Sequence, residues 1–236
     1  MISKTRSLFA LAGCAAGLAI LAPAALAQES LAADSPIQAD EGQVLAETVQ
    51  PETSAAGEQT CTAPELSNAL AGFKDRRSYF LAPEADFHDA SLPGWELSGG
   101  AAVTGDPSGA DVIGDGQTSS LSLPPGSSAT SPEMCVDLDY PTFRFFATQL
   151  AADTDSALAV DVIYPALSRN NVRQAKRLRL KAKDGWKLSD DVQLEPQRLG
   201  KQSGWRRVAL RFRNLSGKKP GTFKIDDILV DPRLHN

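Results

Sequence analysis

Trp205-Arg206-Arg207-Val208-Ala209-Leu210-Arg211-Phe212-Arg213 decides the fold class. Val208, Leu210 and Phe212 fall on one side of an extended chain, and Arg207, Arg211 and Arg213 on the other. That period of two marks a strand with one buried face. Lys176-Arg177-Leu178-Arg179-Leu180-Lys181-Ala182 repeats it, with Leu178 and Leu180 inward and Arg177, Arg179 and Lys181 outward. Working outward, short runs of the same kind cover 78–81, 95–98, 101–103, 119–123, 129–131, 134–136, 142–148, 158–164, 175–182, 205–213 and 222–230. Pro93-Gly94, Gly99-Gly100, Asp106-Pro107-Ser108-Gly109, Pro124-Pro125-Gly126 and Lys219-Pro220-Gly221 punctuate them. Many short strands with dense Gly/Pro turns predict an all-β sandwich or barrel. Thr62-Ala63-Pro64-Glu65 adds a capping hydroxyl, an early proline and an acidic first turn, which predicts a short N-terminal helix ended by Gly72.

The 236-residue chain opens on a leader pattern. Lys4 and Arg6 precede an apolar run from Leu8 to about Leu21, and Ala25-Leu26-Ala27 supplies a small-residue cleavage site. Residues 1–27 therefore read as a secretory signal peptide, and the protein as secreted or held in the cell envelope. Leu11-Ala12-Gly13-Cys14 also matches a lipobox, which would make a lipoprotein at Cys14. It leaves only Ser7 to Gly13 as the apolar region, so cleavage after Ala27 is the better reading. No later run approaches the ~20 apolar residues of a transmembrane helix. Residues 28–60 hold seven acidic residues, no Lys or Arg and no aromatic. Such a stretch cannot bury enough apolar surface to offset chain entropy, and it reads as a disordered acidic linker. The domain then runs from 61 to 236. Cys61 and Cys135 remain once the leader is removed, and an oxidising compartment predicts one disulfide between them.

Charge divides along the chain. Residues 28–162 carry 22 acidic and four basic residues, and residues 163–236 carry seven acidic and 18 basic. Export and an overall net charge of −5 argue against a nucleic-acid partner. The basic half reads either as protection of a sheet edge or as an anion-attracting face.

Tyr79-Phe80-Leu81-Ala82-Pro83-Glu84-Ala85-Asp86-Phe87, followed by Gly94-Trp95-Glu96-Leu97-Ser98-Gly99-Gly100-Ala101, resembles the opening of galactose-binding-like jelly-roll domains of the carbohydrate-binding-module type. Phe223-Lys224-Ile225-Asp226-Asp227-Ile228-Leu229-Val230-Asp231-Pro232 is similar to their last strand. The middle, from Ser120 to Val136 with Pro141-Thr142-Phe143-Arg144-Phe145-Phe146, resembles a family of exported bacterial proteins with no assigned function. The resemblance implies a jelly-roll β-sandwich. It also implies a structural Ca²⁺ near Asp226 or Asp227, although His88 stands where such modules often carry an acid.

The chemistry of the remaining residues favours binding over catalysis. His88 and His235 are the only histidines, and no G-x-S-x-G, H-E-x-x-H or paired-cysteine zinc motif occurs. Asp86, Asp89, Asp190 and Asp191 are carboxylates of the kind a glycosidase uses in pairs. Trp95 opens a strand and reads as core. Trp186, in Asp184-Gly185-Trp186-Lys187, and Trp205 are the candidate stacking platforms. The expected function is a non-catalytic exported module for a polysaccharide or anionic surface polymer. Its candidate ligand residues are Arg177, Arg179, Lys181, Arg207, Arg211, Arg213, Trp186 and Trp205. A structural or accessory envelope domain without a small ligand is the first alternative, and a glycan-active hydrolase the second.

Overall fold

The computed structural model describes residues 61–114, 116, 118–169, 171–201 and 204–231. The leader, the lipobox, the acidic segment, Pro232 and His235 lie outside them. In chain order the strands are β1 (Phe80–Leu81), β2 (Glu96–Ser98), β3 (Ala102–Gly105), β4 (Ser119–Leu123), β5 (Ser128–Thr130), β6 (Met134–Val136), β7 (Thr142–Gln149), β8 (Ala157–Ile163), β9 (Val172–Leu178), β10 (Lys187–Leu188), β11 (Val192–Gln193), β12 (Arg206–Leu215) and β13 (Phe223–Asp231). Short 3₁₀ turns occupy Ala71–Phe73, Ala182–Asp184 and Pro196–Leu199.

These strands form two antiparallel sheets. One has the order β10-β7-β13-β4-β3, with β1 on β13 and β11 on β7; the other has the order β2-β5-β12-β8-β9, with β6 on β12. The alternating apolar residues of both sheets meet in one core. Phe145 of β7 stands edge-on to Phe212 of β12 at a centroid separation of 5.2 Å. Phe143, Val160, Val162, Val208, Leu210, Phe223 and Ile225 are buried around them, each side chain contributing about 1.5–3 kcal/mol. Trp95 is buried as expected, its indole N–H donating to the Pro83 carbonyl at 3.1 Å. The β2–β3 turn needs glycine at Gly99, where φ is +64° and a Cβ would stand 2.7 Å from the Ser127 Cα. The architecture is the all-β sandwich of the jelly-roll class, and Cys61 is bonded to Cys135.

The expected N-terminal helix does not form. Ser67 and Tyr79 exchange backbone hydrogen bonds at 2.8 and 2.7 Å, and the Asn68 amide donates to the Arg76 and Arg77 carbonyls. The segment's polar groups find partners across a loop instead of along a helix, leaving one 3₁₀ turn at Ala71–Phe73. This loop lies on the outer face of the seven-stranded sheet. Leu70 and Tyr79 form a second buried cluster with Phe146 and Leu229, which point away from the main core. Ions fasten it: Arg77 bridges Asp75 (2.7 Å), Asp191 (2.9 Å) and Asp231 (2.7 Å), and Arg144 reaches Asp75 at 2.8 Å.

β9 also differs from expectation. It starts at Val172 and ends at Leu178, with a register shift opposite Val160 and Asp161 of β8. The shift makes Ala175 an extra residue, so the alternation restarts there. Arg179 and Lys181 lie beyond the strand.

Candidate functional site

The six-stranded sheet presents the candidate face. β12 is central, pairing β5 and β6 on one side and β8 on the other. Residues opposite one another in antiparallel strands share a face, so the register defines two rows of outward side chains. The first runs Glu96, Thr130, Arg211, Asp161, Gln174; the second runs Ser98, Ser128, Arg213, Ala159, Arg177. Glu96, Ser98, Gln174 and Arg177 are exposed at the margins.

Asp161 sits at the centre of this face and is fully buried. A carboxylate out of water needs compensating partners, and two arginines supply them. Arg211 donates through Nε (3.0 Å) and Nη2 (2.9 Å) to Oδ2. Arg213 donates through Nε (2.7 Å) to Oδ2 and through Nη2 (3.1 Å) to Oδ1. The hydrogen bonds to Asp161 push the Arg213 guanidinium further up from its ordinary value. Both side chains stay about one-third exposed, at 31% and 33%. Ala159, between Arg213 and Arg177, is fully buried.

Of the candidate cations, the structure brings Arg177, Arg211 and Arg213 onto this face together. Arg207 shares the side but lies at the start of β12, opposite Cys135 and 3.9 Å from Glu133. Arg179 and Lys181 follow the end of β9. The inward-parity cations of β9 are held elsewhere: Arg173 pairs with Glu195 at 2.8 Å, and Lys176 with Asp190 at 3.2 Å. Trp186 belongs to the opposite sheet, where it packs half-buried against the Leu70–Tyr79–Phe146–Leu229 cluster. Trp205 is 37% exposed and stacks on Tyr140 at 5.7 Å.

The carboxylates considered for hydrolysis are structurally engaged. Asp86 and Asp89 accept backbone N–H bonds from His88 and Ser91 in turns, Asp190 pairs with Lys176, and Asp191 belongs to the Arg77 cluster. Asp226 and Asp227 do come together, at a register shift in β13, and both are fully buried. Asp226 accepts from the Ser108 N–H (2.7 Å) and the Asp227 N–H (3.1 Å), and Asp227 accepts from the Ser108 hydroxyl (3.0 Å). Burial first, and the neighbouring Asp227 charge second, push the Asp226 carboxyl up to about 7. Ca²⁺ takes six to eight oxygens. This pair brings four, three of which already accept hydrogen bonds, and among the described residues no third His, Cys, Asp or Glu joins them. As arranged, the pair does not fit a calcium cage.

No family model and no curated protein matches the chain. Among solved structures, a CBM61 module in complex with β-1,4-galactotriose is similar at 14% identity and a TM-score of 0.38, over 63% of this chain and 95% of that one. A CBM22-1 xylan-binding domain from Paenibacillus barcinonensis is similar at 11% identity and a TM-score of 0.42, over 64% and 94%. A family two carbohydrate esterase from Cellvibrio japonicus is similar at 12% identity and a TM-score of 0.36, over 61% of this chain and 32% of that one. Four further similar structures are carbohydrate-binding modules, and another is the enzymatically active domain of a bacteriophage tailspike protein. No described helix is long and apolar enough to cross a membrane.

Proposed function

We propose that the chain is an exported, non-catalytic module that binds a cell-surface or extracellular polysaccharide on the outer face of its six-stranded sheet. The contrast between the two outer faces carries this reading. The seven-stranded sheet is covered by the loop around Leu70 and Tyr79. The six-stranded sheet carries rows of hydroxyls, an amide and partly exposed guanidiniums. Sugars are recognised by such convergent polar groups, and a rigid sheet holds them at low entropic cost. The engagement of the acids proposed for hydrolysis in turns and ion pairs supports the non-catalytic part.

A glycan array probed with the purified chain tests the reading. Retention of a defined glycan class is expected. It should fall when the face is altered at Arg177→Ala and stay unchanged at Trp186→Ala, which lies on the opposite sheet. Silence across neutral and anionic glycans would replace the reading with a structural envelope domain. Release of shorter products from a bound glycan would replace it with a hydrolase.

A further inference from the structure

The arginine pair around Asp161 has more charge than Asp161 neutralises. Arg211 and Arg213 share one carboxylate, so the cluster keeps one positive charge, and Arg177 adds another across Ala159. Elsewhere on these strands Lys176 meets Asp190 and Arg207 meets Glu133, while Glu195 takes both Arg173 and Arg198. At Asp161 the surplus lies on the central β12–β8 pair of the outward face.

The geometry of the surplus is specific. Both guanidiniums bond Asp161 through Nε and Nη2. The Nη1 of each takes no part in that contact. Asp161 is fully buried and reached from both sides, so it fixes both side chains before any ligand arrives. Pre-fixed donors lose little rotamer entropy on binding. With the Nε–Nη2 edge on Asp161, the end of each guanidinium, Nη1 with the second Nη2 hydrogen, is the donor pair left to match the planar oxygens of a carboxylate. The row that holds Arg213 also holds Arg177 two strands away, which at ~4.8 Å per strand places the two about 10 Å apart with Ala159 between them.

Resting on the glycan-binding reading above, we propose that the Nη1 edges of Arg211 and Arg213 form an anion subsite for a sugar carboxylate, with Arg177 a second contact along the same chain. The glycan class is a polyuronate. Asp161 is the positioning residue, acting through the two guanidiniums without touching the ligand.

The test uses the purified chain in affinity electrophoresis through gels containing polygalacturonate, or the same polymer with its carboxyls reduced to neutral hydroxymethyl groups. Tight retention on the acid form and at least tenfold weaker retention on the reduced form are expected. Arg211→Lys and Arg213→Lys keep the charge and a partner for Asp161 but remove the fork. Each should weaken binding about tenfold, the scale of a lost charge-assisted hydrogen bond. Arg173→Lys, held by Glu195 away from the face, should bind as the parent does. Thermal melts of every variant separate lost binding from lost folding. Equal retention on acid and reduced polymer overturns the anion subsite and leaves the glycan-binding reading standing. Lysine variants that bind like the parent overturn the fork geometry, and preference for a sulfated polymer of equal charge overturns the carboxylate assignment. Silence of the chain on the whole glycan array overturns the parent reading itself.

Discussion

Asp161 shows how one residue can look ordinary in sequence and still organise a surface. It is the single charge in the apolar run from Leu158 to Tyr164, and its buried position on the outward side of β8 makes it depend on Arg211 and Arg213. Removing one side of such a contact is not equivalent to removing the other. Arg211→Ala with Arg213→Ala leaves a buried carboxylate without its partners, which costs about 3–5 kcal/mol. Asp161→Ala leaves two partly exposed guanidiniums that water can solvate, and it should cost clearly less. Urea unfolding of the two variants checks the order, and a reversed order would place the stability of the face in the arginine stems. Asp226 and Asp227 are a second residue-scale case. Three of their four oxygens already accept hydrogen bonds, so millimolar Ca²⁺ should leave the melting temperature unchanged. A bound ion would raise it by mass action, and a calcium-dependent rise would show that the pair rearranges into a cage.

At the scale of elements, two loops are fastened by carboxylates whose pH dependence has opposite sign. The loop around Ser108 is held by Asp226, whose folded value is raised to about 7. Burial and the Asp227 charge favour the neutral form of Asp226, so the stability tied to its protonation is present in full below the unfolded value of about 3.9 and is lost as pH rises through about 7, with the Ser108 hydrogen bonds opposing the loss. Asp231 is raised in the same sense by burial, with Arg77 opposing. The loop at 67–79 is held by Asp75, which Arg77, then Tyr79, keep well below the usual carboxylate range against the effect of burial. Its contribution is present above about 3.9 and lost as pH falls further. Urea midpoints should therefore fall between pH 5 and pH 8 and fall again in strong acid. Asp226→Asn should flatten the upper limb only, and an unchanged upper limb would assign it to another group. How much of this is legible in sequence depends on where an element's partners come from. The alternation from Val208 to Phe212 reads correctly because a dense core enforces it along most of a ten-residue strand. The start of β9 and the loss of Arg179 and Lys181 from the face do not read, because the extra residue at Ala175 is set by pairing with β8. Trp186 misleads for the same reason: its Asp-Gly context suggests an exposed loop, while Leu70, Phe146 and Leu229 come from distant parts of the chain. The helix expected before Gly72 has sound local signals, which the Ser67–Tyr79 backbone pairing overrides.

At the scale of the whole molecule, the Cys61–Cys135 bond joins the first described residue to β6, on the outward side opposite Arg207 of the central strand β12. It closes a loop of 74 residues that contains β1 to β5. Constraining a loop of that length in the unfolded chain is worth about 4 kcal/mol, a large share of the roughly 5–15 kcal/mol that holds a typical domain. The bond is also removed in space from the Arg211–Asp161–Arg213 cluster, since Arg211 and Arg213 lie four and six residues further along β12, about 13 and 20 Å at 3.3 Å per residue. Stability and binding should therefore separate. Cys61→Ser with Cys135→Ser should lower the urea midpoint by the equivalent of about 4 kcal/mol, with the folded fraction remaining high at low temperature. Glycan retention measured there should match that of the parent chain. A loss of binding in a variant that is still folded would mean that the disulfide end of the sheet, with Arg207 and Glu133, forms part of the binding face. Retention with an unchanged midpoint would mean that the loop is already constrained by its strand pairings before the bond closes.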